Sequence, residues 1–529
     1  MINITLHGHF YQPPRENPWT AEIEKQPSAA PYRDWNERIL HECYMPNAKA
    51  QIIDSKGKII NRVNNYEYIS YNFGPTLLHW IKVNHHETYK KIIHADKASV
   101  EEHNGHGNAI AMCYNHIIMP LASYRDKITQ IRWGLTDFEY HFKRKSEGIW
   151  LPETACNYET IEALIDEGIK FIILDTSQAE KVRKIKMNES FPPLRSTTSL
   201  RGGHLPAERS QAGDGLWIDV SNGGIDPKFS YRCYSELDRS KYINIFFYDG
   251  PISKAVAFDD VLVSSENLLN KIKHAVDPSI KDEKLISIAT DGETFGHHKK
   301  FADRTLAYFI KELVPKNDMK IYNFGEYLAN HPSKFEVKIK CGDNNEGTSW
   351  SCPHGVKRWK ENCGCAGWDK WNQKWRTPLR ESLNWLRDEL SVIYEFHAQY
   401  LFKEPWEARN NYIDVILDNS LKQRQKFFAS HSTHILSKDE RKSGITLLEM
   451  QKYSLLMFSS DGWFFSEISG LETVQILQYA ARAIEIAETI TGKSLEQPFL
   501  DILSKAESNV PEFKNGLGVW QKLVVPSKK

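Results

Sequence analysis

The sequence predicts an α/β fold: a parallel-stranded barrel over residues 1–335, then a Trp/Cys-rich segment and a mainly α-helical C-terminal region over residues 336–529. Two observations predict the barrel and a third predicts the change of character. Seven short β-branched or aromatic runs recur in the first part, near-continuously apolar as strands buried on both faces of a parallel sheet are. Helix-like stretches separate several of them, which is the alternation of βαβ units. Beyond residue 335, Pro and Gly become sparse within long stretches of helical texture.

In chain order the runs are residues 2–6, 109–114, 148–151, 171–174, 217–220, 243–248 and 285–289. Seven such strands favour a closed barrel over an open sheet. Residues 158–168 (YETIEALIDEG) read as a helix, with apolar positions at helical spacing, early acids and Gly168 as a stop. Residues 265–276 read the same way. Residues 346–376 show little regular pattern. Residues 378–421 and 444–492 are helical in texture, and LETVQILQYAARAIEIAETITG is an amphipathic helix.

Each run ends in polar residues: His7 and His9, Asn115 and His116, Glu153, Asp175, Asn222, Asp249, and Asp291 with Glu293. In α/β barrels the reacting groups stand at the C-terminal ends of strands. Asp and Asn at these places also serve as helix caps, but caps do not call for His or Glu.

Composition narrows the partners. Lys+Arg and Asp+Glu are both 68, so the chain carries no net charge. A general nucleic-acid binder needs a basic surplus, and docking on anionic membranes needs one too. No apolar run approaches the roughly 18 residues of a membrane span. The start, MINITLHGHF, lacks a basic segment followed by an apolar stretch, and eight cysteines among 529 residues is ordinary usage. A soluble, cytoplasmic protein is expected, with no nucleic acid or membrane among its partners. Fifteen tryptophans are many, and five fall between residues 350 and 375.

Three local patterns carry chemistry. In GIWLPETA (residues 148–155) an apolar strand runs into Pro152, which cannot extend the ladder, and presents Glu153 beside Trp150. In ATDGETFGHH (residues 289–298) Asp291, Glu293, His297 and His298 lie within eight residues. A carboxyl at each of these mouths forms the kind of pair glycoside hydrolysis needs. The third is His7-Gly-His9-Phe-Tyr-Gln12-Pro-Pro. Alternate strand residues share a face, so both histidines can point into one barrel mouth. A metal centre built from these His, Asp and Glu groups is the competing chemistry, although the HExxH spacing is absent.

These motifs resemble those of glycoside hydrolase family 57, the α-glucan-active family. HGHFYQPP resembles its N-terminal His-Gln-Pro motif, and Asn115-His116-Ile-Ile-Met-Pro120 its histidine-proline segment. Trp150-Leu-Pro-Glu153 resembles its nucleophile motif, and Asp291-Gly-Glu293-Thr-Phe-Gly-His297 its acid/base motif. The order is the family's, over about the first 300 residues. The resemblance implies an incomplete (β/α)7 barrel with a helical domain, and retaining cleavage or transfer of α-glucosidic bonds in starch- or glycogen-like polysaccharides or oligosaccharides. It implies Glu153 as nucleophile and Asp291 as general acid/base, with no cofactor. His9 and Gln12 match the first motif and His116 the second. An extra Phe-Tyr step in the first motif leaves His7 and His9 both open as the aligned histidine. Ser459-Ser-Asp461-Gly-Trp463-Phe resembles the family's fifth motif and adds Asp461 and Trp463 as substrate-binding candidates, beside Trp150, Glu293 and His297. Retention calls for the two carboxyls to lie roughly 5–5.5 Å apart.

Between barrel and helices, Trp350-Ser-Cys352-Pro-His354-Gly-Val-Lys-Arg358-Trp359 leads to Cys363-Gly-Cys365. Three cysteines and a histidine can form a Cys₃His metal site, though the spacing is not that of paired C-x-x-C knuckles; buried thiols in a Gly-rich loop are the other reading. His354, Arg358 and Trp359 are candidate sugar contacts, since flat aromatic faces match the C–H faces of pyranose rings. Tryptophans 368, 371 and 375 sit at helical spacing, which more often marks core. Two further functions remain open at this stage: a metal-dependent carbohydrate hydrolase on a related barrel, and a non-catalytic glucan-binding protein.

Overall fold

The computed structural model describes residues 1–185, 215–276, 284–365 and 371–528. Seven parallel strands circle one barrel: β1 (Ile2–Phe10), β2 (Ser70–Phe73), β3 (Ala111–Met112), β4 (Ile149–Trp150), β5 (Phe171–Asp175), β6 (Tyr242–Tyr248) and β7 (Lys284–Asp291). β1 pairs with β7 on one side and β2 on the other. A bridge from Tyr71 to Ala109 joins β2 to β3, and one from Gly148 to Phe171 joins β4 to β5. β3 pairs with β4 and β5 with β6.

Between β6 and β7, the link among the described residues is one backbone hydrogen bond, from Asp249 N to Ser287 O at 2.7 Å. The reason is that the free edge of β6 is taken by Ser230–Tyr234, which pairs antiparallel with it. That strand continues the sheet through Phe335–Ile339 and Ala179–Lys184. The barrel is therefore incomplete at this seam.

Six of the seven strands coincide with the apolar runs. The run at residues 217–220 does not belong to the barrel. Ile218–Asp219 pairs antiparallel with Ala179–Lys184 at the far end of the extended sheet, and both its residues are exposed. Its place in the ring is taken by β2. Ser70 and Asn72 of that strand are polar yet buried, because they bond to histidines of β1. Such a strand has no apolar run to announce it.

The expected helices form. Tyr158–Asp166 is capped by Asn157, whose side chain accepts from Thr160 N, and Ser265–His274 by Ser264. Asp249 caps Gly250–Phe258 through Ile252 N, so this strand-end acid is a cap. On the barrel's outside, α1 (Tyr124–Phe142) packs against the C-terminal part. There α2 (Arg376–Ala398), α3 (Lys438–Leu456) and α4 (Leu471–Thr491) pack on one another. α4 is buried over most of its surface, including Ile476, Leu477, Ala480, Ala483, Ile484 and Ala487; it is the centre of the bundle rather than a one-sided amphipathic helix. Many tryptophans serve as core: Trp133, Trp150, Trp359, Trp375, Trp463 and Trp520 are fully buried. Trp368 lies outside the described residues. Among the described residues no helix is long and apolar enough to cross a membrane.

A buried polar knot ties α1 to the helical part. Arg409 is 2% exposed. Its Nη1 donates to Asp126 Oδ1 at 2.8 Å and Gln451 Oε1 at 3.2 Å, and its Nη2 to Thr129 Oγ1 at 2.8 Å and Arg125 O at 3.1 Å. Removing one partner of a buried pair strands the other charge, at about 3–5 kcal/mol. Arg409→Met is expected to lower unfolding stability by about that amount in a denaturant titration; a loss under about 1 kcal/mol would show that the knot is not holding the two parts together.

Candidate active site

The mouth of the barrel is built outward from β1. The register sets His9 opposite Asp291 on one flank and Asn72 on the other. His7 and His9 share a face, as alternation requires, and both are buried. His7 Nδ1 meets Ser70 Oγ at 3.0 Å and its Nε2 meets Asn72 Oδ1 at 3.1 Å. His9 Nδ1 takes a hydrogen bond from Asn72 Nδ2 at 2.9 Å, and its Nε2 lies 3.2 Å from His116 Nε2. His116 Nδ1 reaches Ser460 Oγ at 2.7 Å. The rings stack: Trp150 lies 4.8 Å from His7 and 5.1 Å from His9, and Tyr11 lies 3.8 Å from His116. Burial pushes His7 and His116 down to about 3 and His9 well below the usual imidazole range. All three are neutral hydrogen-bonding groups at ordinary pH.

Glu153 stands on a strained turn. Pro152 ends β4 and opens a short 3₁₀ turn, Pro152–Thr154. Glu153 itself has φ 58 and ψ 20, left-handed backbone that costs a non-glycine residue about 1–3 kcal/mol. The turn is clamped from both sides. Gln178 Nε2 donates to Thr154 O at 2.9 Å, and Trp350 N donates to Glu153 O at 3.1 Å. Strain that is held in this way aims the side chain. Glu153 Oε2 accepts from Ser351 Oγ at 2.6 Å and Trp350 Nε1 at 2.9 Å. Burial and the nearby Asp461 charge raise its pKa, while these two donors and Arg358 hold it down.

Asp291 ends β7. Gly292 follows it because a Cβ there would come within 2.3 Å of the Phe10 ring. Asp291 is solvent-accessible at the cleft floor while the five residues after it are buried. Crowding by surrounding protein, then the charge of Glu153, push it up to about 7. The two carboxyls thus sense one another, and burial raises both. Glu293 lies deeper, 6% exposed. Its Oε1 accepts from Tyr44 Oη at 2.5 Å and Tyr11 N at 3.1 Å, and burial raises it to about 8. It props the turn beneath Asp291 rather than facing the cleft.

The helical part completes the mouth. Ser459 bridges to Ile117, and Ser460 N donates to His116 O at 2.9 Å. Asp461 Oδ2 accepts from Tyr11 Oη at 2.5 Å and Ser459 Oγ at 2.6 Å. Asp461 therefore joins the site, 450 residues from Tyr11 in sequence.

Gln12 stays with the site: its Nε2 donates to Tyr11 O at 3.0 Å, its Oε1 accepts from Arg15 Nη2 at 3.1 Å, and its side chain bonds Tyr44, the donor to Glu293. Other predicted residues lie elsewhere. His297 pairs with Glu42 through Nδ1, away from the two carboxyls. Trp359 and Trp463 are fully buried, and Arg380 lies over the Trp463 ring at 4.1 Å; both are core and offer no face to a sugar. Arg358 donates to Ser351 O at 3.0 Å and lines an open cleft of about 770 Å³ with Trp371, Phe464 and Phe465. His354 is exposed beside Cys365. Tyr11, Tyr44, Asn72, Ser351 and Ser460 escaped the sequence reading. Of these, Tyr11, Ser351 and Ser460 adjoin residues already singled out, whereas Tyr44 and Asn72 do not.

Among the described residues, the group that gathers three or more metal-ligating atoms is Cys352, His354, Cys363 and Cys365. The barrel-mouth histidines instead spend their nitrogens on Ser70, Asn72, Ser460 and one another.

Known proteins share this fold. No curated protein sequence matches the chain. Solved structures do. An exo-type maltose-forming amylase from Pyrococcus sp. ST04 superposes with a TM-score of 0.65 at 16% identity, covering 99% of this chain and 93% of that one. A GH57-type branching enzyme from Pyrococcus horikoshii gives 0.51 at 11% identity, covering 99% and 96%. A 4-alpha-glucanotransferase from Thermococcus litoralis gives 0.50 at 12% identity, covering 92% of this chain and 59% of that one. At these identities the likeness is one of fold. A domain of unknown function (DUF3536) matches residues 371–529. Glycosyl hydrolase family 57 matches residues 6–340, more than half of the sequence, and the chain belongs to that family.

Proposed function

We propose that this protein cleaves or transfers α-glucosidic bonds of α-glucans with retention of configuration. Glu153 is the nucleophile and Asp291 the general acid/base. The observation that carries the reading is the pairing of these two carboxyls at strand ends, in unlike surroundings. Glu153 receives two donors that favour its charge, whereas Asp291 is held protonated up to about 7 by crowding and by Glu153. Environments that push two carboxyls apart in this way assign acid and base.

In the first step Asp291 donates its proton to the leaving glycosidic oxygen while Glu153 attacks the anomeric carbon, and a covalent glycosyl-enzyme forms. Formation of that bond removes the negative charge of Glu153, which lowers the affinity of Asp291 for a proton. Asp291 then takes a proton from water or from a sugar hydroxyl as that oxygen attacks the anomeric carbon and the bond to Glu153 breaks, freeing its carboxylate; water gives hydrolysis and a sugar gives transfer. His9 and His116, neutral and bonded to one another, to Asn72 and to Ser460, brace the mouth. The Trp371 and Phe465 rings on the cleft by Arg358 supply exposed aromatic faces for further pyranose units.

With soluble starch and maltooligosaccharides, new reducing ends are expected from hydrolysis and redistributed chain lengths from transfer. Asp291→Asn should lower the rate by about 10²–10⁴-fold, and Glu153→Gln at least as much. A Glu153→Ala enzyme supplied with azide should release the β-glycosyl azide. Full activity in Glu153→Gln would refute the nucleophile assignment.

The pH profile of kcat/KM should fall on the alkaline side near pH 7, as Asp291 loses its proton, and on the acid side as Glu153 gains one. A donor to a carboxylate lowers its pKa. Ser351→Ala should therefore move the acid limb to higher pH and leave the alkaline limb in place; an acid limb that stays put would contradict Ser351's role.

A further inference from the structure

We propose that Cys352, His354, Cys363 and Cys365 form a zinc site, and that the bound ion fixes the loop that holds Trp350 and Ser351 on Glu153. The metal-binding half stands on the cluster's own geometry; the second half rests on the catalytic reading above. The four side chains come from two short stretches that fold onto each other. Cys352 and His354 flank a turn closed by Gly355 N donating to Cys352 O at 3.1 Å. Cys363 and Cys365 flank Gly364, whose φ of +78 is left-handed and whose Cβ position is open; this turn lets both sulfurs face the same side.

Distances distinguish the possible chemistries. The four ligand atoms all lie within 4.8 Å of one another. Cys352 Sγ and Cys365 Sγ are 4.0 Å apart, and Cys365 Sγ and His354 Nδ1 are 3.5 Å apart. A disulfide needs sulfurs about 2.05 Å apart. Tetrahedral zinc, with Zn–S about 2.3 Å and Zn–N about 2.0–2.1 Å, sets sulfur to sulfur at about 3.8 Å and sulfur to nitrogen at about 3.6 Å. The observed spacings fit the second. Charge fits as well. Three thiolates and a neutral imidazole around a divalent ion leave one negative charge. Arg376, fully buried at the start of α2, brings Nη1 to 3.6 Å from Cys363 Sγ. An unshared arginine charge in the core is expensive, and an anionic metal–thiolate centre offsets it. The exposed His354 gives the ion a path in.

The link to catalysis is covalent and short. Cys352 directly follows Trp350 and Ser351, both of which donate to Glu153 Oε2. Arg358, between His354 and Cys363, donates to Ser351 O. Pinning Cys352 to Cys363 and Cys365 closes the loop, so that the two donors reach Glu153 without being ordered at each turnover.

The test is metal analysis of the full-length protein purified with zinc in the medium, together with replacement by cobalt(II). One equivalent of zinc is expected per chain. The cobalt protein should show thiolate-to-metal charge transfer and the strong visible bands of a tetrahedral ion. His354 and Cys365 lie at the more exposed edge of the cluster, so Cys365→Ser and His354→Ala should still fold. Cys365→Ser should weaken or abolish the charge-transfer band, and His354→Ala should shift the visible bands. Neither zinc nor cobalt bands in the wild-type protein, or bands unchanged in Cys365→Ser, would overturn the site. These readouts need no substrate, so they stand or fall independently of the α-glucan reading. Chelation should then reduce kcat reversibly, with zinc restoring it; bound zinc whose removal leaves kcat unchanged would overturn the coupling to Glu153.

Discussion

Two carboxyl groups close enough to sense one another cannot both ionise without cost, and the site is arranged around that constraint. Glu153 is set on a left-handed turn and given an indole and a hydroxyl donor, so its charge is tolerated. Asp291 is given crowding and the field of Glu153, so its proton is retained. Neither residue's chemistry is intrinsic to its type. Each pKa follows from desolvation, nearby charge and donors.

The same constraint explains the histidines. Three imidazoles at the mouth are held neutral by burial, so each has one N–H to donate and one lone pair to accept with. His9 and His116 face each other through Nε2, which requires opposite tautomers. If His9 donates, its Nδ1 accepts from Asn72, and the Nδ1–H of His116 donates to Ser460. If His116 donates, its Nδ1 accepts from the Ser460 hydroxyl. One proton's position therefore propagates from β2 of the barrel to the helical part through side chains that stack on Trp150 and Tyr11.

Where the sequence carries an apolar run that belongs to the ring, the fold is legible: β1, β5, β6 and β7 show themselves directly. The motif residues Glu153 and Asp291 also declare themselves, because strand, breaker and carboxylate are contiguous. β2 is not legible. It has four residues, and its inward positions are Ser70 and Asn72, polar because they serve His7 and His9. The run at 217–220 misleads for the converse reason, since apolar content on a peripheral strand reads like a barrel strand. Trp359 and Trp463 were legible as aromatic but not as buried, because periodicity does not reveal which face meets which neighbour. That Ser351 donates to Glu153 and Tyr11 to Asp461 could not be read, since these pairs lie 198 and 450 residues apart.

Those distances bear on what the C-terminal part is for. Asp461 does not merely cap the cleft: its charge raises Glu153, and its carboxylate takes the hydroxyl of Tyr11, whose ring lies on His116. Ser460 fixes the end of the histidine chain. A barrel without residues 459–461 would keep Glu153 and Asp291 but lose a charge near Glu153, and would leave His116 and Tyr11 with unpaired polar atoms in the mouth. Buried polar atoms without partners each cost about 1–3 kcal/mol. The buried Arg409 knot makes the attachment firm enough to hold that geometry. The division between barrel and helices is thus a division of chain and not of site: the surroundings of Glu153 and His116 are assembled across it.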